Sequence, residues 1–190
     1  MITVGIDEVG RGCWAGPLVA GAVILGKPIE GLKDSKKLSK KQRELLAAKI
    51  NQEALAVGLG WVWPEDIDRY GISISVKMAM ERALREIKIA YGEVIIDGNI
   101  NYMPEEPRAR AQIKADDTVA AVSAASIAAK VARDTYMASV AAKKFPEYGF
   151  EKHVGYGTAF HIAMLAAHGA TDIHRHSYKP IRQLVLSSEI

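Results

Sequence analysis

The sequence predicts an α/β layered domain built on a mixed sheet of about five strands flanked by helices. Short strand-like apolar runs gather early, at Thr3–Ile6, Leu18–Leu25 and Leu55–Val62. Two more short runs, around Val94–Ile96 and Arg108–Ala115, then alternate with stretches of helical spacing. After Pro146 no strand signal remains, so that region is expected to form a small helical cap beside the sheet.

In chain order, Val4 and Ile6 alternate with Thr3 and Gly5. They are joined to Leu18–Leu25 through Gly10, Gly12, Gly16 and Pro17, which reads as a hairpin with a wide, glycine-rich connection. Ser39 followed by Gln42 fits a capping box opening a helix that runs to about Gln52, with Leu45, Leu46 and Ile50 on its buried face. Pro64 starts a short helix ending near Gly71. Ser73 or Ser75 can cap the next helix, whose Val76, Met80, Leu84 and Ile87 recur at helical spacing until Gly92. A long alanine-rich helix is expected from about Thr118 to Lys144, stopped by Pro146. Thr158 can cap a helix running to Gly169, and Pro180 suits the first turn of a last one ending near Ser187.

With 190 residues and one cysteine, Cys13, the chain is large enough for a single core and cannot close an internal disulfide, which favours a reducing compartment. Asp7, Glu8 and Arg11 interrupt the first apolar run before it can act as a signal peptide, and no apolar stretch approaches spanning length. The expectation is a soluble, cytoplasmic, monomeric protein, with a main domain over 1–145 and a helical segment over 146–190 packed on it as one functional unit. A net charge of +3 is too mild to mark a nucleic-acid binder by itself. Positive charge does concentrate at Lys33, Lys36, Lys37, Lys40, Lys41 and Arg43, and again at Arg108, Arg110 and Lys114.

Three strand ends are expected to carry acids: Asp7 with Glu8, Asp97, and Asp116 with Asp117. Taken singly, each reads as a helix cap or a turn residue. Together, carboxylates converging at the ends of neighbouring strands repel one another unless cations compensate them. An all-oxygen donor set suits Mg²⁺ or Mn²⁺, and no His-Cys spacing points to zinc. Two such ions roughly 4 Å apart can activate a water and stabilise the oxygen that leaves a phosphodiester. No Walker-type loop and no Gly-x-Gly-x-x-Gly after a strand offers another phosphate chemistry. Gly10-Arg11-Gly12 could bring backbone groups close to a sugar or phosphate, although on its own the motif is weak and a plain turn explains it better.

Six segments in order carry a resemblance: Asp7-Glu8-Val9-Gly10-Arg11-Gly12, Asp34-Ser35-Lys36-Lys37-Leu38-Ser39, Ile96-Asp97-Gly98-Asn99, Lys114-Ala115-Asp116-Asp117, Ser123-Ala124-Ala125-Ser126-Ile127 and Gly155-Tyr156-Gly157-Thr158. From Thr3 to about Pro180 the chain resembles the bacterial ribonuclease HII (type 2 ribonuclease H) family. That resemblance implies a ribonuclease H-like fold and a metal-dependent endoribonuclease. The substrates it implies are the RNA strand of RNA–DNA hybrids and single ribonucleotides embedded in duplex DNA. Cleavage falls on the 5′ side, leaving 3′-hydroxyl and 5′-phosphate ends. It places the metal-binding, catalytic acids on Asp7, Glu8, Asp97 and Asp116, favouring Asp116 over Asp117, which is left to cap the long helix. It assigns Gly10, Arg11 and Gly12 to the 2′-hydroxyl at the junction and Tyr156 to stacking on the neighbouring deoxyribose. Ser35, Lys36 and Lys37 are candidate phosphate contacts, while Lys130, Arg133 and Asp134 read as structural or backbone-contacting.

Val154 departs from the basic residue that relatives often carry before Gly-Tyr-Gly, which could remove one phosphate contact. His153, His161, His168, His174 and His176 cluster late in the chain, where solvated or hydrogen-bonded roles are expected. Two rival readings are a metal-dependent phosphomonoesterase or phosphotransferase, weakened by the lack of Asp-x-Asp at the first strand, and a non-catalytic nucleic-acid binding module. For the latter, four matched acids would be a liability.

Overall fold

The computed structural model describes residues 1–32 and 38–187. Its strands are β1 Thr3–Val9, β2 Leu18–Leu25, β3 Ala54–Val62, β4 Glu93–Asp97 and β5 Ala109–Gln112, forming one sheet in the order β3-β2-β1-β4-β5. β1 runs antiparallel to β2, and β2 to β3, whereas β1, β4 and β5 run parallel. The expected mixed sheet is therefore present, with β1 at its centre.

The helices are α1 Lys40–Glu53, α2 Pro64–Tyr70, α3 Ile72–Arg85, α4 Ala115–Thr118, α5 Ala120–Tyr136, α6 Ala142–Lys144, α7 Phe150–His153, α8 Ala159–His168 and α9 Lys179–Ser187. α1 opens with the reciprocal cap its spacing requires: Gln42 N–H donates to Ser39 Oγ at 3.3 Å, and Ser39 N–H to Gln42 Oε1 at 2.9 Å. α3 is not capped by Ser73 or Ser75. Gly71, at φ 78°, is its first flanking residue, and the Ser75 hydroxyl instead donates to the Gly71 carbonyl at 2.8 Å.

Nor is the long helix continuous. Val119 is extended, which separates the single turn α4 from α5, and a π-helical turn at Met137–Ala141 precedes α6. The break lets α4 point its first N–H groups at β4 while α5 lies along the sheet. Asp117 therefore does not cap α5; Val119 precedes that helix without any side-chain cap. β5 is also shorter than expected, because Lys114 adopts a left-handed conformation at φ 55° and turns the chain. Asp116 consequently arrives on a helical turn and not at a strand end.

α3 and α5 cover opposite faces of the sheet. Val4, Ile6, Leu18, Ala20, Val94 and Ile96 pack with Val76, Ala79, Met80 and Ala83 of α3. On the other face Val23 packs with Ala124, Ala125, Ile127 and Ala128 of α5 and with Ala47 and Ile50 of α1. The alanine-rich surface of α5 approaches the sheet at glycines: a methyl on Gly5 would lie 2.2 Å from the Ala121 carbonyl carbon and from the Val122 nitrogen. Backbone cannot yield as a flexible side chain can, so Gly5→Ala costs at least about 1–3 kcal/mol. A thermal melt of this variant is expected to fall by roughly 5 °C or more. An unchanged melt would mean that α5 is not seated on β1 in this way.

The C-terminal segment has its own apolar cluster, Tyr148, Phe150, Leu165, Ile173 and Ile181, which joins Met137 and Ala141 to Ala15 of the β1–β2 connection. Its described residues contain no strand, but one antiparallel bridge pairs Ala15 with His174. The expected cap is thus attached directly to the glycine-rich connection. Among the described residues no helix is long and apolar enough to cross a membrane.

Candidate active site

The parallel register sets Ile6 opposite Ile96, which makes Asp7 and Asp97 the next residues on adjoining central strands. Neighbouring strands lie about 4.8 Å apart. Asp97 Oδ1 accepts hydrogen bonds from the Ala115 N–H at 2.8 Å and the Asp116 N–H at 3.4 Å, so it receives the start of α4 and draws Asp116 to the same edge. Asp116 is buried and Asp117 exposed, a distinction that residue spacing alone could not make. Asp7 is buried, Glu8 half-buried, and the Glu8 N–H donates to Asp7 Oδ1 at 2.8 Å. The Ser126 hydroxyl of α5 also hydrogen-bonds the Asp7 carboxylate, a contact permitted by the close seat of α5 on Gly5 and Gly21.

Burial above all, with the charges of Glu8 and Asp97 added, pushes the Asp7 pKa up to about 8, against the opposing pull of Ser126 and the Glu8 amide. Burial likewise raises Glu8, while the Arg11 guanidinium, 3.4 Å away, lowers it. Among the described residues no three His, Cys, Asp or Glu groups close on a single ion position. Asp97, Lys114 and Asp116 line an open cleft of about 490 Å³. A raised folded-state pKa means that the Asp7 contribution to stability is complete below about pH 4 and is lost as the pH rises toward 8. In metal-free buffer Asp7→Asn is therefore expected to melt higher than wild type at pH 8 and no higher at pH 4. Equal melting at both values would contradict a desolvated Asp7.

Gly10, Arg11 and Gly12 follow β1 directly. Gly10 has φ 92°, and a methyl there would lie 2.5 Å from Arg133 Nε, so the fold itself requires this glycine. Gly12 differs: it is exposed, and a methyl would meet nothing within 4 Å. Its missing side chain leaves free space above the backbone. The Arg11 side chain spans Glu8 and the Tyr102 hydroxyl, the latter at 3.1 Å.

Two buried arginines that sequence reasoning did not assign to this connection, or not to this task, hold it in place. Arg175 donates through Nη1 to the Arg11 carbonyl at 3.1 Å, and through Nε and Nη2 to Gly16 O at 3.1 and 2.9 Å. The Tyr178 hydroxyl adds a 2.6 Å bond to the Arg11 carbonyl. Arg133 donates to Pro17 O at 2.9 Å, Ala15 O at 3.1 Å and Val154 O at 2.9 Å. Arg133 thereby ties the connection to the Tyr156 loop, which is the structural one of the two roles expected for it. Arg175 and Tyr178 lie more than 160 residues from their partner Arg11, a separation over which residue spacing carries no signal.

The Tyr156 ring is partly exposed, with Lys130 Nζ 5.4 Å and the Arg133 guanidinium 5.9 Å from its centre. Its hydroxyl hydrogen-bonds the buried Cys13 thiol; burial and Cys13 push its pKa up to about 12, so the phenol stays neutral. Lys130 also pairs with Asp134 at 2.9 Å. Tyr156 borders a groove of about 570 Å³ lined by Lys40, Arg43, Lys130 and Lys152 together with the acids Glu44, Asp134 and Glu151. Val154 is left-handed at φ 44°, a strained state for a β-branched residue, with its carbonyl held by Arg133. The candidate phosphate contacts Ser35, Lys36 and Lys37 lie outside the described residues. In the second basic group, Arg108 pairs with Glu106 at 2.6 Å and Arg110 with Glu93 at 3.5 Å.

A mixed five-stranded sheet between helix layers, with acids gathered where β1, β4 and α4 meet, defines a ribonuclease H-like enzyme. Residues 4–181 match the model of the ribonuclease HII family, and the chain belongs to that family. It is an endoribonuclease of the ribonuclease H type. The ribonuclease H2 from Pyrococcus horikoshii OT3 is similar over 100% of this chain and 99% of that one, at 28% identity and a TM-score of 0.84. The structure of the PCNA:RNase HII complex from Archaeoglobus fulgidus contains a chain 28% identical, matched over 94% of this chain and 96% of that one, with a TM-score of 0.80. Bst-RNase HIII, solved in complex with Mn²⁺, shares the fold at 18% identity and a TM-score of 0.74, over 100% of this chain and 70% of that one.

Proposed function

We propose that this chain is a divalent-metal-dependent endoribonuclease acting on the RNA strand of RNA–DNA hybrids. It also cuts on the 5′ side of single ribonucleotides in duplex DNA, leaving 3′-hydroxyl and 5′-phosphate ends. The observation that carries this reading is the continuity of one segment: β1 sets Asp7 beside Asp97, Glu8 follows it, and the backbone carbonyl clamped at Arg11 comes three residues after Glu8.

The donor set fits Mg²⁺ or Mn²⁺: Asp7, Glu8, Asp97 and Asp116 offer oxygen alone, and the elevated Asp7 pKa marks carboxylates that a nearby cation would relieve. Two such ions, held by these acids, would supply an activated water and charge opposite the departing oxygen. The chain's own residues do the rest. Asp97 fixes the position of Asp116 through the α4 amides, and Ser126 fixes the Asp7 carboxylate. Open space over Gly12 admits a sugar to backbone groups that can both donate to and accept from a 2′-hydroxyl. Tyr156 offers a neutral ring for stacking on the adjoining deoxyribose. Lys40, Arg43, Lys130 and Lys152 line a path suited to phosphates, contacts that position the duplex without reading sequence. A single chain carries all these groups, so the reading needs no second copy.

Tyr156→Ala is expected to lower kcat/KM on DNA containing one ribonucleotide by about 10- to 100-fold, in line with the roughly 1–3 kcal/mol of an aromatic stacking contact. Its melting temperature should change little, since the ring is partly exposed. Wild-type activity on that substrate would remove Tyr156 from recognition.

A further inference from the structure

Three histidines of the C-terminal segment, His153, His161 and His174, are buried, and every one of their ring nitrogens has a protein partner. Those partners determine where each proton sits. His161 Nδ1 lies 3.0 Å from the Tyr156 carbonyl, which can only accept, so Nδ1 carries the proton. Nε2 of His161 is then an acceptor, and its partner, His174 Nε2 at 3.1 Å, must donate. That leaves His174 Nδ1 to accept from the Thr171 N–H, also at 3.0 Å. The result is an ordered chain of neutral rings: Thr171 to His174 to His161 to the Tyr156 carbonyl. Its far end is anchored beside the ribose-facing loop, because His174 bridges Ala15, Gly16 N–H donates to Ile173 O at 2.8 Å, and Arg175 N–H donates to Trp14 O at 2.8 Å. His153 supports the same loop from the other side. It accepts from the Gly155 N–H at 3.2 Å, donates to Tyr148 O, and stacks on His161 with 4.5 Å between ring centres.

We infer that His161, its tautomer fixed by His174, is a positioning residue that holds the Tyr156 loop in register with the Gly10–Gly12 loop and so sets preference for a single embedded ribonucleotide. This rests on Tyr156 reading the deoxyribose, as proposed above. Burial, first among the causes, depresses the pKa of His161 to about 4 and of His174 to about 3, which keeps both rings neutral through the working range. Neither ring touches the acid cleft, so the expected effect falls on substrate choice and leaves the cleavage step alone.

A ring that merely filled the core would be ranked by size, so Gln would replace His161 better than Asn. The positioning role predicts the reverse order. An Asn amide sits where Nδ1 sits and can still donate to the Tyr156 carbonyl, whereas a Gln amide sits where Nε2 sits and cannot. The experiment compares kcat/KM for duplex DNA with one ribonucleotide against kcat/KM for a continuous RNA–DNA hybrid, for His161→Asn and His161→Gln, each with Tyr156 and with Tyr156→Ala. The expected result is an embedded-to-hybrid ratio within about twofold of wild type for His161→Asn and about tenfold lower for His161→Gln. The Gln effect should disappear in the Tyr156→Ala background.

A ratio for Gln equal to or above that for Asn would overturn the inference, as would a Gln effect that persists without Tyr156. If Tyr156→Ala itself left the ratio unchanged, the deoxyribose reading would fall and this inference with it. Nitrogen-15 NMR of the wild-type protein gives a check that needs no variant to fold: His161 should be protonated at Nδ1 and His174 at Nε2. The opposite tautomer at His161 would exclude its donation to Tyr156.

Discussion

Asp97→Asn is expected to reduce cleavage at saturating Mg²⁺ by at least about 1,000-fold, roughly 4 kcal/mol of lost transition-state stabilisation. Asn keeps the shape and one carbonyl oxygen, so it can still accept from the Ala115 and Asp116 amides that seat α4. What it loses is the charge beside Asp7 and Glu8. The variant should therefore fold with a melting temperature close to wild type, and without metal it should lower the Asp7 pKa, because Asp97 is one of the charges that raises it. Comparable loss is expected for Asp7→Asn. Full cleavage by both variants at saturating Mg²⁺ would place the metal site elsewhere.

Arg133→Met is expected to lower the melting temperature by roughly 10 °C. Met fills a similar volume, so little cavity is left. Three carbonyls, those of Ala15 and Pro17 buried and that of Val154 partly buried, nevertheless lose their donor. Each unsatisfied group costs about 1–3 kcal/mol, and a protein of this size loses about 2–4 °C per kcal/mol. Relief from burying a guanidinium opposes this. It is partly offset already by Asp134, 3.4 Å from Nη1, so the lost hydrogen bonds dominate. Arg133→Lys should fare nearly as badly, because one ammonium cannot reach three divergent carbonyls. A melt within 2 °C of wild type for Met would show that these bonds contribute little.

Much of the fold was legible because local pattern and tertiary structure agree. Alternation in β1, the apolar run of β2 and the Ser39–Gln42 cap each need information only from within a few residues. Failures came where a distant partner decided the outcome. α3 is not capped by a serine because Gly71 already supplies the turn. The helix expected from Thr118 to Lys144 breaks at Val119 because the Asp97 carboxylate captures the amides of α4, 18 and 19 residues along the chain. Periodicity contains no trace of such a contact. Candidate acids could be picked out by residue type and order, but choosing Asp116 over Asp117 needed either the family pattern or the burial now seen. Arg175, Tyr178 and the tautomers of His161 and His174 lay beyond reach, since each depends on contacts between chain segments that only folding brings together. The late histidines were expected to be solvated or hydrogen-bonded. Three of them are buried with all ring nitrogens engaged by protein, which leaves those three no lone pair for a metal.

Cleavage of a DNA duplex bearing one ribonucleotide, run in parallel with Mg²⁺, with Mn²⁺ and with chelator, tests the central claim most directly. A single cut on the 5′ side of the ribonucleotide, with 3′-hydroxyl and 5′-phosphate ends, in both metals and absent with chelator, is the predicted result. Cleavage that survives the chelator, or none in either metal while the protein still binds the duplex, would contradict it.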